Sequence, residues 1–253
     1  MPVLVPILMY HRVADAPQGA EGAGLVVSPA ELTAQAKWLA ARGWRGVALR
    51  ELAAALAGDT RLPSRSIVFT FDDGAQDVLD NALPILKQYA WSATLFVSSS
   101  LAGKRGEHGA ELADWPALRL AAQQGFEIGS HGAGHRRLAG LSDGELEREV
   151  AGSRAEIAAR LGMMPPETFA YPYGSLDPRA LAAVERAGYL AAVTTEGGVL
   201  HAPAQRCQLR RVAVYRGLDP ERFGRRLGLL YELHQRLARL FRPRPDVSGC
   251  AFA

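Results

Sequence analysis

Short apolar runs alternate with amphipathic stretches along most of this 253-residue chain, and that alternation constrains the fold more than any other feature. The runs at residues 3–9, 66–71, 93–97, 126–129, 168–171, 190–194 and 211–215 predict strands, with a weaker eighth at 45–48. Between them, helical spacing predicts helices over 29–42, 50–57, 77–88, 115–124, 143–161 and 178–187. The helix starts carry their own chemistry. Ser28-Pro29-Ala30-Glu31 supplies an N-cap serine, a proline at the first helical position and a glutamate placed to close a capping box. Ser142-Asp143-Gly144-Glu145 repeats the box, Asp177-Pro178 reads as a cap followed by proline, and Gly43, Gly125, Gly162 and Gly188 fall where helices end.

Alternating β and α elements imply parallel strands joined by helical crossovers. Seven or so repeats fit a closed barrel or an open doubly wound sheet, and the polar residues separate the two. His11, Asp72, Asp73, Ser98, His131 and Tyr173 each sit just past the C-terminal end of a predicted strand. In a β/α barrel, reactive groups from several strands converge on that rim. No G-x-G-x-x-G follows a strand, as a dinucleotide-binding sheet would need. The expectation is an α/β fold, a distorted (β/α)7-type barrel over residues 1–218. Residues 219–253 then form a C-terminal basic, amphipathic helix and tail packed on or beside it.

Composition is that of an ordinary globular chain, 48% hydrophobic and 22% charged. Cys207 and Cys250 are too few for a disulfide framework and have no neighbour at metal-ligand spacing. The net charge of +3 hides an asymmetry: from Arg210 to Arg244 ten arginines face only Asp219, Glu221 and Glu232, leaving −4 for the remainder. Within this stretch Phe223, Leu227, Leu230, Leu233, Leu237 and Leu240 recur at helical spacing, with arginines on much of the other face. Packing of the leucine face on the barrel is the first expectation, and peripheral contact with a membrane surface the second. No basic-aromatic pattern points to nucleic acid. The apolar N-terminus lacks a positive leader region, and no run reaches about eighteen apolar residues, so neither a signal peptide nor a spanning helix is visible. That places the expected location in the cytoplasm or at the inner membrane surface. The oligomeric state is left open.

Three polar clusters carry the chemistry. Thr70-Phe71-Asp72-Asp73-Gly74 ends the second long run with two carboxylates, which are costly to bury without a positive partner. Successive strand side chains point oppositely, so both acids serve one site only where the strand is ending, and Gly74 permits that departure. Ser130-His131-Gly132-Ala133-Gly134-His135 places two imidazoles four residues apart, the usual nitrogen half of a divalent metal site. An isolated Asp-Asp-Gly is more often a turn, and an isolated histidine more often structural; two such clusters at strand ends point instead to a metal held by one of the two carboxylates with His131 and His135. The other carboxylate is then free to accept a proton. Zinc is the default ion for this set, with cobalt, nickel or iron fitting the same ligands. In Phe169-Ala170-Tyr171-Pro172-Tyr173-Gly174 a strand runs into a turn, and the Tyr173 N–H is a candidate oxyanion donor. His11, ending the first run, is equally consistent with a hydrogen-bonded structural residue and with a general acid.

Together these strings resemble the polysaccharide deacetylase family, the NodB homology domain of carbohydrate esterase family 4. TFDDG resembles its first motif, whose first aspartate is the base and second a metal ligand, which implies Asp72 as the base and Asp73 as the ligand beside His131 and His135; SHGAGH and FAYPYG resemble the second and third. The resemblance runs from Val5 to about Arg226. It implies metal-dependent hydrolysis of N-acetyl groups on an amino-sugar polymer, oligomer or glycolipid, a linear carbon–nitrogen bond other than a peptide bond. The third motif usually carries an arginine where this chain has Ala170, and no late Leu-x-His string supplies the acid. The MYHRV strand resembles the branch acting on β-1,6-linked poly-N-acetylglucosamine, in which the acid comes from the first strand; this assigns His11 that role. Arg211 is the stand-in for the missing arginine. The alternatives are an O-acetyl carbohydrate esterase and a carbohydrate-binding member without turnover.

Overall fold

Pro6 splits the first apolar run into two pieces with different partners. Val3–Leu4 pairs antiparallel with Leu200–His201, whereas Ile7–Tyr10 enters the central sheet. The computed structural model describes residues 2–15 and 22–240. Its centre is a ring of strands: β1 (Ile7–Tyr10), β2 (Ser66–Phe71), β3 (Thr94–Val97), β4 (Glu127–Ser130), β5 (Thr168–Ala170), β6 (Ala191–Gly197) and β7 (Leu209–Ala213). Each pairs in parallel with the next, and β7 returns to β1 through Val212 opposite Leu8. The sheet is therefore the expected seven-stranded closed barrel, and the open doubly wound alternative is excluded. Arg45–Val47, the weaker eighth strand, is added alongside the first half of β2.

The strand period of two sorts residues inside and outside the ring. Ile67, Phe69 and Phe71 of β2 pack outward with Tyr10, Leu32 and Leu39. Val68 joins Ile7, Phe96, Ala170, Val193 and Leu209 in a second apolar cluster. Thr70 and Asp72 follow Val68 on the same face, so the polar site begins where this apolar filling stops.

The crossover helices start as their caps predict. The Ser28 hydroxyl accepts the Glu31 N–H at 3.2 Å while the Glu31 carboxylate accepts the Ser28 N–H at 2.7 Å. Asp177 accepts the Ala180 N–H at 2.8 Å. Two expected helices contain a π-helical turn that spacing alone does not reveal, at Val78–Ala82 and Arg148–Gly152.

The expected last helix departs most from expectation. It is two helices, Pro220–Gly224 and Leu229–Leu240, and residues past 240 lie outside the description. Phe223 and Leu227 are buried as expected, but Leu230, Leu233 and Leu237 face outward. The side turned to the barrel is polar. Buried Glu232 accepts the N–H groups of Val199 and Leu200 at 2.8 and 3.3 Å, and Arg239 donates to the Gly197 carbonyl at 2.8 Å. The cause lies in the chain just after β6. The Val199 and Leu200 N–H groups take the Glu232 carboxylate as acceptor, and a buried backbone donor must find one. A leucine face cannot supply it.

Candidate active site

β2 ends in two consecutive left-handed residues, Asp73 (φ 69°) and Gly74 (φ 74°). The sharp departure expected of Gly74 thus begins one residue earlier. It leaves Asp72 on the inner face, its N–H donating to the Tyr10 carbonyl at 3.0 Å, and swings Asp73 towards the histidines. At Gly74 a Cβ would sit 2.9 Å from Val97 Cγ1, so the turn is close-packed as well as left-handed.

Asp73 Oδ1 lies 3.2 Å from His135 Nε2 and 3.5 Å from His131 Nε2. One ligand atom from each residue falls within 4.8 Å of the others, a spacing that can hold a metal ion. His131 is buried and its Nδ1 lies 2.8 Å from the Ala170 carbonyl oxygen. An N–H donated there fixes the tautomer that leaves Nε2 free as a ligand, the usual outer support of a metal-bound histidine. Burial acts to raise the Asp73 pKa, but the two imidazoles facing it outweigh that and hold the carboxyl well below the usual range. Burial lowers His135, yet Asp73 and then Glu107 leave it raised. An anionic oxygen facing two imidazole nitrogens fits a divalent ion with open positions.

The histidine loop is not helical, although its spacing suits a helical turn. Gly132 (φ 77°) and His135 (φ 56°) are left-handed, and the loop wraps around the Glu149 carboxylate, which accepts the N–H groups of Ala133 at 3.0 Å and Gly134 at 2.9 Å. A Cβ at position 132 or 134 would stand 3.0 or 3.2 Å from a Glu149 oxygen, which explains the two glycines. Glu149 belongs to the second π-helical turn, a feature frequent beside functional sites. Nothing in the local spacing announces this residue.

Arg211 stands inside the barrel on β7 and is only 1% exposed. It donates through Nη1 and Nη2 to the two oxygens of Asp72, each at 2.7 Å. Its Nη1 also donates to Thr70 Oγ1 at 3.0 Å, and its Nε to the Thr194 carbonyl at 2.8 Å. Thr194 lies within the β6 irregularity, so the distortion of the barrel supplies the acceptor that seats the guanidinium. Burial raises the Asp72 pKa, but the charge and hydrogen bonds of Arg211 overcome it and leave the carboxyl below its ordinary value.

His11 follows β1 on the inner face, and its Nδ1 is buried without a hydrogen-bond partner among the described residues. Tyr173 (φ 57°) has its ring centroid 4.6 Å from that of His135, its hydroxyl on Glu107 and the Arg137 guanidinium 4.4 Å from its ring centre. Burial, then Glu107, pushes its hydroxyl pKa up to about 12. Glu107 also lies 3.4 Å from His135 Nδ1 and was not singled out by the sequence. Asp73, His135 and Tyr173 are three of five non-glycine residues with positive φ among those described. Each such conformation costs about 1–2 kcal/mol, and its clustering marks a functional site. Six expected residues, His11, Asp72, Asp73, His131, His135 and Tyr173, line one pocket open to solvent. Arg211, the seventh, underlies it through Asp72.

A closed parallel barrel with carboxylate, imidazole and guanidinium groups gathered at the C-terminal rim defines a hydrolase-type site of the metal-assisted class. Comparison with known proteins gives the family. The polysaccharide deacetylase model matches residues 59–192. YxkH of Bacillus subtilis (strain 168), whose name places it among polysaccharide deacetylases, is 31% identical over 223 residues, 88% of this chain and 76% of that protein. The poly-beta-1,6-N-acetyl-D-glucosamine N-deacetylase of Staphylococcus aureus (strain N315) is 26% identical over 204 residues, 72% of this chain and 68% of the relative. The Streptococcus pyogenes deacetylase PplD, solved in complex with acetate, superposes with a TM-score of 0.81 at 26% identity, covering 90% of this chain and all of that one. The chain belongs to the polysaccharide deacetylase family, and the expected class, a metal-dependent hydrolase, stands with it.

Proposed function

We propose that this protein removes N-acetyl groups from an amino-sugar polymer, oligomer or glycolipid by metal-assisted amide hydrolysis. The observation that carries the reading is Asp72, held from beneath by Arg211, standing beside Asp73, His131 and His135 in one pocket. Asp73, His131 and His135 would hold the ion. A divalent cation there, zinc by default, would supply Lewis-acid polarisation and local positive charge for the hydrolysis.

The chain's own residues supply the rest. Asp72 accepts a proton from the attacking water, and Arg211 keeps that carboxylate ionised and fixed in orientation. The Tyr173 N–H donates to the oxyanion that develops on the carbonyl oxygen. His11 donates a proton to the departing amine nitrogen as the carbon–nitrogen bond breaks, giving acetate and a free amino sugar. With Arg211 bonded to both Asp72 oxygens, Ala170 at the usual arginine position is no reason to set turnover aside.

Acetate release from metal-loaded protein tests this reading across chitin oligomers, β-1,6-linked N-acetylglucosamine oligomers, N-acetylated glycolipids and O-acetylated sugars. Release from N-acetylated substrates, with a matching free amine, is expected. Release from O-acetyl esters alone contradicts the amide reading.

A further inference from the structure

The helix Leu229–Leu240 turns its polar side to the barrel and leaves an apolar stripe exposed among the described residues. Leu229, Leu230, Leu233 and Leu237 are all exposed, Leu230 to 82%. On a helical projection they fall within about 100° of one another, the width of a single face. Exposed Arg236 borders one edge of that face and exposed His234 the other. Arg222 and Arg225 are exposed on the segment just before it. Leucines outward with arginine at the margin is the chemistry of a helix lying in a lipid–water interface.

Two observations favour lipid over a second copy of the chain. The stripe presents on the order of 400 Å², about half of the roughly 800 Å² each partner gives to a stable dimer. A two-fold contact would also set the same arginine-bordered face against itself, like charge towards like. Exposed Arg222, Arg225 and Arg236 beside the stripe, the first and last also paired with Asp219 and Glu232, instead complement an anionic surface.

We propose that Leu229–Leu240 docks this protein on an anionic lipid bilayer, with the leucines at the acyl boundary and Arg236 among the headgroups. The contact is peripheral, since no helix among the described residues is long and apolar enough to cross a membrane. The helix also stands beside the catalytic mouth. Tyr231, His234 and Gln235 help line a neighbouring cleft that shares Thr195 with the catalytic pocket. Docking therefore brings the site to the lipid surface. The proposal is independent of the hydrolytic reading, because none of the docking residues lines the catalytic pocket.

Co-sedimentation of the full chain with vesicles tests it, comparing equal parts phosphatidylglycerol and phosphatidylcholine with phosphatidylcholine alone. The anionic vesicles should be bound more tightly, by about tenfold or more, and less tightly as salt is raised. Leu230→Ser/Leu233→Ser/Leu237→Ser should lose that binding while acetate release from a soluble oligomer is unchanged. If the triple variant misfolds by circular dichroism, Leu230→Ser alone should weaken binding and Leu230→Trp should strengthen it. Failure of the wild type to sediment overturns the proposal, as does equal sedimentation of the leucine variants. So does a wild-type dimer in light scattering that these substitutions convert to monomer.

Discussion

Arg211 holds Asp72 by both carboxylate oxygens, across 139 residues of sequence and entirely inside the barrel. A carboxylate this deeply buried needs a countercharge, and a bidentate guanidinium supplies charge and direction together. Lysine offers charge without the fork. Arg211→Lys should lower turnover by about a hundredfold with metal content unchanged. Arg211→Met, which leaves the acid buried and unpaired, should in addition lower stability by about 3–5 kcal/mol. Thermal melts and steady-state acetate release separate the two effects, and an Arg211→Lys enzyme of wild-type turnover would remove Arg211 from the mechanism.

The turn at Gly74 carries a stability prediction. Its φ of 74° is left-handed, and a new Cβ would lie 2.9 Å from Val97 Cγ1. Gly74→Ala should cost about 1–3 kcal/mol. It should also weaken metal binding, because this turn aims Asp73. Urea unfolding of the metal-free protein reads the first effect and zinc titration the second; unchanged affinity would uncouple turn from site.

His201 predicts a pH dependence away from the active site. It is buried, its Nε2 lies 2.8 Å from the Val5 carbonyl oxygen, and burial lowers its pKa to about 4 from an ordinary 6.5. Because the folded value is depressed, the unfolded chain takes up a proton first as pH falls. Its stabilising contribution is full above about pH 6.5 and is lost progressively down to about pH 4, roughly 3 kcal/mol in all. Glutamine at this position can still donate to Val5 but does not titrate. His201→Gln should therefore lose less stability than the wild type between pH 7 and 4. Parallel unfolding curves for the two would contradict the assignment.

The barrel was legible in the sequence because its signals are local. Apolar runs, capping boxes and glycine stops all report a neighbourhood of a few residues, and the strand at 66–71 matches to the residue. The site was legible for a related reason, since Asp72, Asp73, His131 and His135 stand at strand ends in short polar strings. Glu149 escaped because its role arises only when a π-helical turn brings it under the histidine loop. Glu107 escaped because it meets His135 and Tyr173 only in space. The last helix was misjudged for a different reason: hydrophobic spacing identifies its two faces but not which one the barrel takes. The Val199 and Leu200 N–H groups, which take the Glu232 carboxylate as acceptor, decide that, and no local sequence pattern shows them.

The division of labour between the adjacent aspartates is the centre of the account. Asp73 faces the imidazoles, while Asp72 faces Arg211. Zinc content and acetate release should be measured side by side for the wild type, Asp72→Asn, Asp73→Asn and His135→Ala. The account predicts that Asp72→Asn keeps its metal and loses turnover by about a thousandfold or more, whereas the other two lose both. Wild-type turnover in Asp72→Asn, or full metal occupancy without Asp73 and His135, would contradict it.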